Sequence, residues 1–260
     1  MAEESKSVKQ RLHFLDTLRG CAVIGMIFIH VSFDLPGYLG VNPPYQDSLW
    51  YWIFEQCVRG TFIGLSGYCC LMGRHPIKRG ITVSLAGFLV TLVSLITKTD
   101  PPIFYGVLTL IGACMIISTL FRKAINKKNG IFFTVLFFLL FLATLHISSG
   151  YIGFYNQPIV NLPRKLYQAN NSMLASLKAF IGLPSPSFSS SDYFPLMPWF
   201  FLFMSGFSLY AACGEAINKA KMMKWKLQPM AFLGKNALLV YLLHQPVIIG
   251  ILMLISYIRR

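Results

Sequence analysis

The chain has 260 residues, 55% of them hydrophobic and 12% charged, a charged share about half that of a soluble domain. Its apolar surface, which includes 22 phenylalanines, exceeds what a soluble core of this length can hide, so lipid is the expected solvent. The net charge of +14 does not point to nucleic acid, because the basic residues sit in short clusters between apolar runs, where membrane topology puts them.

A helix needs about 20 apolar residues to cross the hydrocarbon core. Seven stretches qualify: 14–35, 48–73, 80–97, 103–121, 130–147, 195–214 and 230–257. The first is too long for the core of a signal peptide and is followed by further spans, so it reads as a membrane helix. The expected fold is all-α, a polytopic membrane helical bundle of seven transmembrane helices forming one domain over 1–260. Fourteen Lys and Arg lie in the amino-terminal tail and in the second, fourth and sixth connections, against six on the other side. That bias predicts a cytoplasmic amino terminus and an outer carboxyl terminus. The six cysteines lie in or beside apolar runs without metal-type spacing, so neither a disulfide framework nor a metal site is expected.

An ionisable side chain within a spanning helix is costly unless it is paired or wet, and the few present are the functional candidates. Asp16 and Arg19, three apart in LDTLRG, share a helical face. They read either as an ion pair fixing the helix end or as a phosphate contact. His30 follows in the same stretch, 14 positions beyond Asp16. At the helical rise that is about 21 Å further, in the outer half of the membrane. It reads as a proton-exchanging group or as a helix–helix hydrogen bond. In the second stretch Glu55 and Arg59 stand four apart, placed to neutralise each other, with Glu55 facing His30 as the alternative. Arg74, Lys78 and Arg79 fill the next inner connection, and Tyr105 opens the fourth stretch from outside.

The segment 148–194 is a long extracytoplasmic loop. Met173, Leu174, Leu177, Phe180 and Ile181 recur in it at helical spacing, predicting a short amphipathic helix on the outer leaflet or on the protein's own mouth. Asp192 precedes the sixth stretch, where a capping carboxylate is the plain alternative to a binding role. The seventh carries Tyr241, His244 and Gln245, and Pro246 behind them frees the Leu242 carbonyl.

RLHFLDTLRGCAVIGMIFIH, GTFIGLSG, PPIFYGVLTLIG, SDYFPLMPWF and FLGKNALLVYLLHQPVI occur in this order. The series resembles the heparan-alpha-glucosaminide N-acetyltransferase-like membrane proteins, in a compact bacterial form, within the wider clan of transmembrane acyltransferases. The resemblance implies a membrane-embedded acyltransferase in the bacterial cytoplasmic membrane. Acetyl-CoA would be the donor, reaching the site from the cytoplasm. The acceptor would be an amine or hydroxyl of an extracytoplasmic sugar or glycan. The lysosomal member carries its proposed active histidine in the loop after the first span. This chain has no histidine in 36–47, so the carry-over goes to His30, and Glu55 stands where that member has an aspartate.

The mechanism so implied has His30 as general base, Glu55 orienting it, and His244 or Tyr241 donating to the oxyanion. Arg11, Arg19, Arg74, Lys78 and Arg79 match the charge of the CoA phosphates, although topology alone also accounts for them. Asp16, Arg59, Tyr105 and Asp192 complete the expected binding set. The expected partners are acetyl-CoA, a glycan or amino-sugar acceptor and the lipid bilayer, with no nucleic acid. Oligomeric state stays open, a homodimer among the options. The rival reading is a small transporter or flippase using Asp16, Arg19, Glu55 and Arg59 along a pore.

Overall fold

The computed structural model describes residues 12–259. The candidate Arg11 lies outside the described residues. The chain divides into two compact units, one running up to Thr61 and resuming at Glu215, the other Phe62–Gly214.

The first unit is built on α1 (His13–Leu39) and α9 (Ala237–Ile258), both long and apolar enough to cross a membrane. α8 (Gln228–Lys235) packs along the beginning of α1. The approach is backbone to backbone: a Cβ on Gly234 would lie 1.8 Å from the Asp16 carbonyl oxygen, so only glycine fits. α8 and α9 were expected as one span over 230–257. A break at Asn236, whose φ of −104° and ψ of 21° are not helical, separates them. The break falls at the polar pair Lys235-Asn236, within a span that was read as one because apolar residues flank the pair on both sides.

α1 ends by proline and glycine chemistry. Pro36 has no N–H for the Ser32 carbonyl, and the Gln46 amide takes that carbonyl instead, at 2.5 Å. Gly40 then ends the helix in the left-handed region, donating to the Pro36 carbonyl. A short loop leads to α2 (Leu49–Met72), which Ser48 opens by accepting from the Tyr51 N–H at 3.2 Å.

In the second unit α3 (Pro76–Ile96) packs against α4 (Val107–Ile117), which a 3₁₀ turn extends to Phe121. The fourth span was expected from 103. Its first residues instead form a non-helical lead-in, with Tyr105 held at a positive φ of 54°. α5 (Gly130–Thr144) packs on α7 (Leu196–Lys219), where Phe137 meets Phe201 and Phe141 meets Trp199. The later part of α2 crosses α7 so closely that a Cβ on Gly67 would lie 1.9 Å from the Phe203 carbonyl oxygen.

The long segment holds the expected helix, α6 (Ser172–Ile181). It faces both ways: Ala179 is buried against the protein, while Met173 is 73% exposed. The segment also contains an unanticipated hairpin of β1 (Tyr151–Phe154) and β2 (Gln157–Asn161), paired antiparallel. Among the described residues, five helices are long and apolar enough to span a membrane. α2 has the length but carries Glu55 and Arg59, and α4 with its 3₁₀ turn is shorter. The architecture is an all-α polytopic membrane bundle.

Candidate active site

Within the first unit, α1 and α9 bring two histidines together. The rings of His30 and His244 lie with centroids 4.8 Å apart and planes tilted by 58°. Each ring belongs to a long, mainly apolar helix, with Asp34 on α1 and Gln245 on α9 as polar neighbours. Four residues further along α1 and one further along α9, the Gln245 amide donates to the Asp34 carboxylate at 2.8 Å. The two contacts advance together along the chain, so the helices run parallel here.

The tautomer of His244 follows from its partner. Its Nδ1 lies 2.5 Å from the Tyr241 carbonyl oxygen, which only accepts, so Nδ1 carries the proton. In the neutral ring the lone pair is then on Nε2. Such a ring takes a proton or accepts a hydrogen bond, and it donates from Nε2 only once protonated. The expected role of His244 as an oxyanion donor therefore requires the imidazolium form. Tyr241 is buried, and its ring packs on His244 with centroids 5.3 Å apart.

Asp34 is the residue that sequence reasoning missed. It stands four positions after His30, on the same helical face. An acidic residue one turn from a histidine, inside an apolar run, was the available signal. Glu55 forms the ion pair with Arg59 that their spacing of four predicts, at 3.3 Å within α2. Asp16 and Arg19 likewise pair with each other, at 3.4 Å, near the start of α1.

Beside the histidines a groove of about 400 Å³ opens between α1 and α9. Ile27, Val31, Leu35 and Leu39 form one wall, each a turn beyond the last, and the row from Val247 to Ile255 forms the other. His244 is the one polar residue in this lining.

The second unit carries the basic candidates. Arg74, Lys78 and Arg79, grouped from sequence by topology alone, line one open cleft of about 320 Å³ with His75 and Thr82. His75, the turn residue between α2 and α3, was not singled out beforehand. The same unit brings Tyr105 and Asp192 together. The Asp192 carboxylate lies over Gly106, the N-cap of α4, 3.1 Å from where a Cβ would stand. The Tyr105 hydroxyl pairs with Ser176 of α6, and its ring packs on Phe180 and Phe188. Tyr193 follows Asp192, its hydroxyl bonded to the Ala179 carbonyl at 2.5 Å, and burial pushes its phenol far above the usual range.

The family model for the catalytic domain of heparan-alpha-glucosaminide N-acetyltransferase matches residues 11–246. The chain belongs to that family. The matched span includes both histidines, Asp34 and the basic cleft. Family membership gives acetyltransferase activity, and the apolar helices make the chain a multi-pass membrane protein. No curated protein and no solved structure matches the chain.

Proposed function

We propose that the protein transfers an acetyl group from acetyl-CoA to an amine or hydroxyl of a sugar across a bacterial cytoplasmic membrane, with His30 and His244 as its reaction centre. The observation that carries this reading is the pair of imidazoles in contact within an apolar helix junction. Two such groups are costly to hold in lipid, and proton exchange during acyl transfer gives them work there. The acceptor in the family's name, a glucosaminide, makes an amino sugar the first acceptor to test.

In this mechanism the acceptor amine or hydroxyl sits against both rings. His30 takes its proton as the acceptor attacks the thioester carbonyl. Asp34 stabilises the resulting imidazolium through its negative charge. His244, with its Nδ1 proton committed to Tyr241, offers Nε2 as a hydrogen-bond acceptor to a second N–H of an amine acceptor or to a neighbouring hydroxyl of the sugar. The tetrahedral intermediate collapses with loss of the C–S bond, and the proton returns to the departing thiolate to give free CoA. Arg74, Lys78 and Arg79 supply the positive charge suited to the phosphates of the donor. Tyr105 and Asp192 have the chemistry to bind sugar hydroxyls. With the amino terminus cytoplasmic, as the basic residues predict, α1 carries His30 into the outer half of the bilayer.

The test is release of free CoA by purified protein in lipid nanodiscs supplied with acetyl-CoA and glucosamine. His30→Ala and His244→Ala each lower kcat by about 10²- to 10⁴-fold. Full activity in His30→Ala ends its assignment as base. Glucosamine flux across vesicles without CoA release favours the transporter reading instead.

A further inference from the structure

We propose that the α1–α9 groove is a channel for an acyl chain, and that the enzyme uses medium-chain acyl-CoA donors as well as acetyl-CoA. This rests on the acyl-transfer reading above and extends it to the donor.

The groove passes beside the reaction centre. His244 is the first of its liners on α9, and its ring stands against His30. From that point two parallel rows of aliphatic side chains run away together, to Leu39 on α1 and Ile255 on α9. From the level of His30 to Leu39 the helical rise gives a length of about 14 Å. One leaflet of the hydrocarbon core is about 15 Å deep. A thioester whose carbonyl lies at the histidines would direct its alkyl chain along these rows, with no polar group to desolvate on the way. An acetyl group ends at a single methyl carbon and uses none of this length.

The chemistry is unchanged by the longer chain. The C–S bond of the acyl thioester breaks and a C–N or C–O bond to the acceptor forms. The acceptor's proton passes through His30 to the leaving thiolate. What the groove adds is binding: each methylene drawn from water strengthens association by up to about fourfold.

The experiment measures CoA release chromatographically in nanodiscs, with glucosamine as acceptor and acetyl-, butyryl- or octanoyl-CoA as donor. Octanoyl-CoA is expected to turn over with a lower KM than acetyl-CoA. Ile251→Trp, on an exposed wall position, and Leu35→Trp, on the facing wall, are each expected to lower the octanoyl-to-acetyl ratio of kcat/KM by tenfold or more. Turnover of acetyl-CoA without octanoyl-CoA overturns the proposal while leaving acetyl transfer standing. So does octanoyl turnover indifferent to both variants, which would leave the groove to the tails of bilayer lipids. Failure of every donor overturns the acyl-transfer reading and this inference together.

Discussion

Asp34→Asn isolates charge from contact at the candidate reaction centre. Asparagine keeps an oxygen to accept the Gln245 amide, so the tie between α1 and α9 persists while the negative charge is lost. Residues four apart on a helix have Cβ atoms about 6 Å apart. At an effective dielectric of about 20, an imidazolium and a carboxylate at that separation attract by about 3 kcal/mol. His30 is partly exposed, which trims the value, so a loss of about 2 kcal/mol in the transition state is expected. That corresponds to a fall in kcat of about 30-fold, with the KM for acetyl-CoA little changed. CoA release by the variant in nanodiscs reads it directly. Asp34→Ala, which also frees the Gln245 amide, is expected to lose thermal stability as well. An Asp34→Asn enzyme within threefold of the parent would refute the electrostatic role and leave Asp34 as a helix–helix fastener only.

Three further outcomes follow from other parts of the molecule. Alanine at Arg74 or Arg79 is expected to raise the KM for acetyl-CoA by about tenfold, as loss of a charge-assisted hydrogen bond does. The same variants should leave unchanged the KM for a short acetyl thioester that carries no phosphate, and a parallel rise for both donors would disconnect the cleft from the phosphates. Gly67→Ala places a Cβ 1.9 Å from the Phe203 carbonyl, so α2 and α7 must part at a cost of about 1–3 kcal/mol, visible as a lower midpoint in a thermal-shift assay. Tyr193 is held as the neutral phenol, its ionisation pushed above the ordinary value near 10. Its contribution is therefore fully present below pH 10 and lost as pH rises through the folded value, and Tyr193→Phe should abolish that alkaline sensitivity in the same assay.

The helices were legible because lipid imposes a length on apolar runs that composition alone records. Where the chain departs from that rule it was illegible. The polar pair Lys235-Asn236 was visible inside the last run, but composition does not say that the backbone breaks there, and the hairpin at Tyr151–Asn161 lies in a segment where no span is required. His30 and His244 stood out individually as ionisable groups in apolar stretches. Their contact did not, because no local pattern links positions more than 200 apart in the chain. For Glu55 the i,i+4 rule gave the pairing found, with Arg59 four residues on along its own helix. Applied to His30, the same rule points to Asp34.

The contact of α1 with α9 also bears on biogenesis. A nascent polypeptide stalled or clipped before Asn236 can insert most of its hydrophobic segments, yet it holds one imidazole of the pair and one wall of the groove. Catalytic competence would then arrive late in synthesis, after the other segments have entered the bilayer. Partly made copies would not discharge thioesters in the meantime.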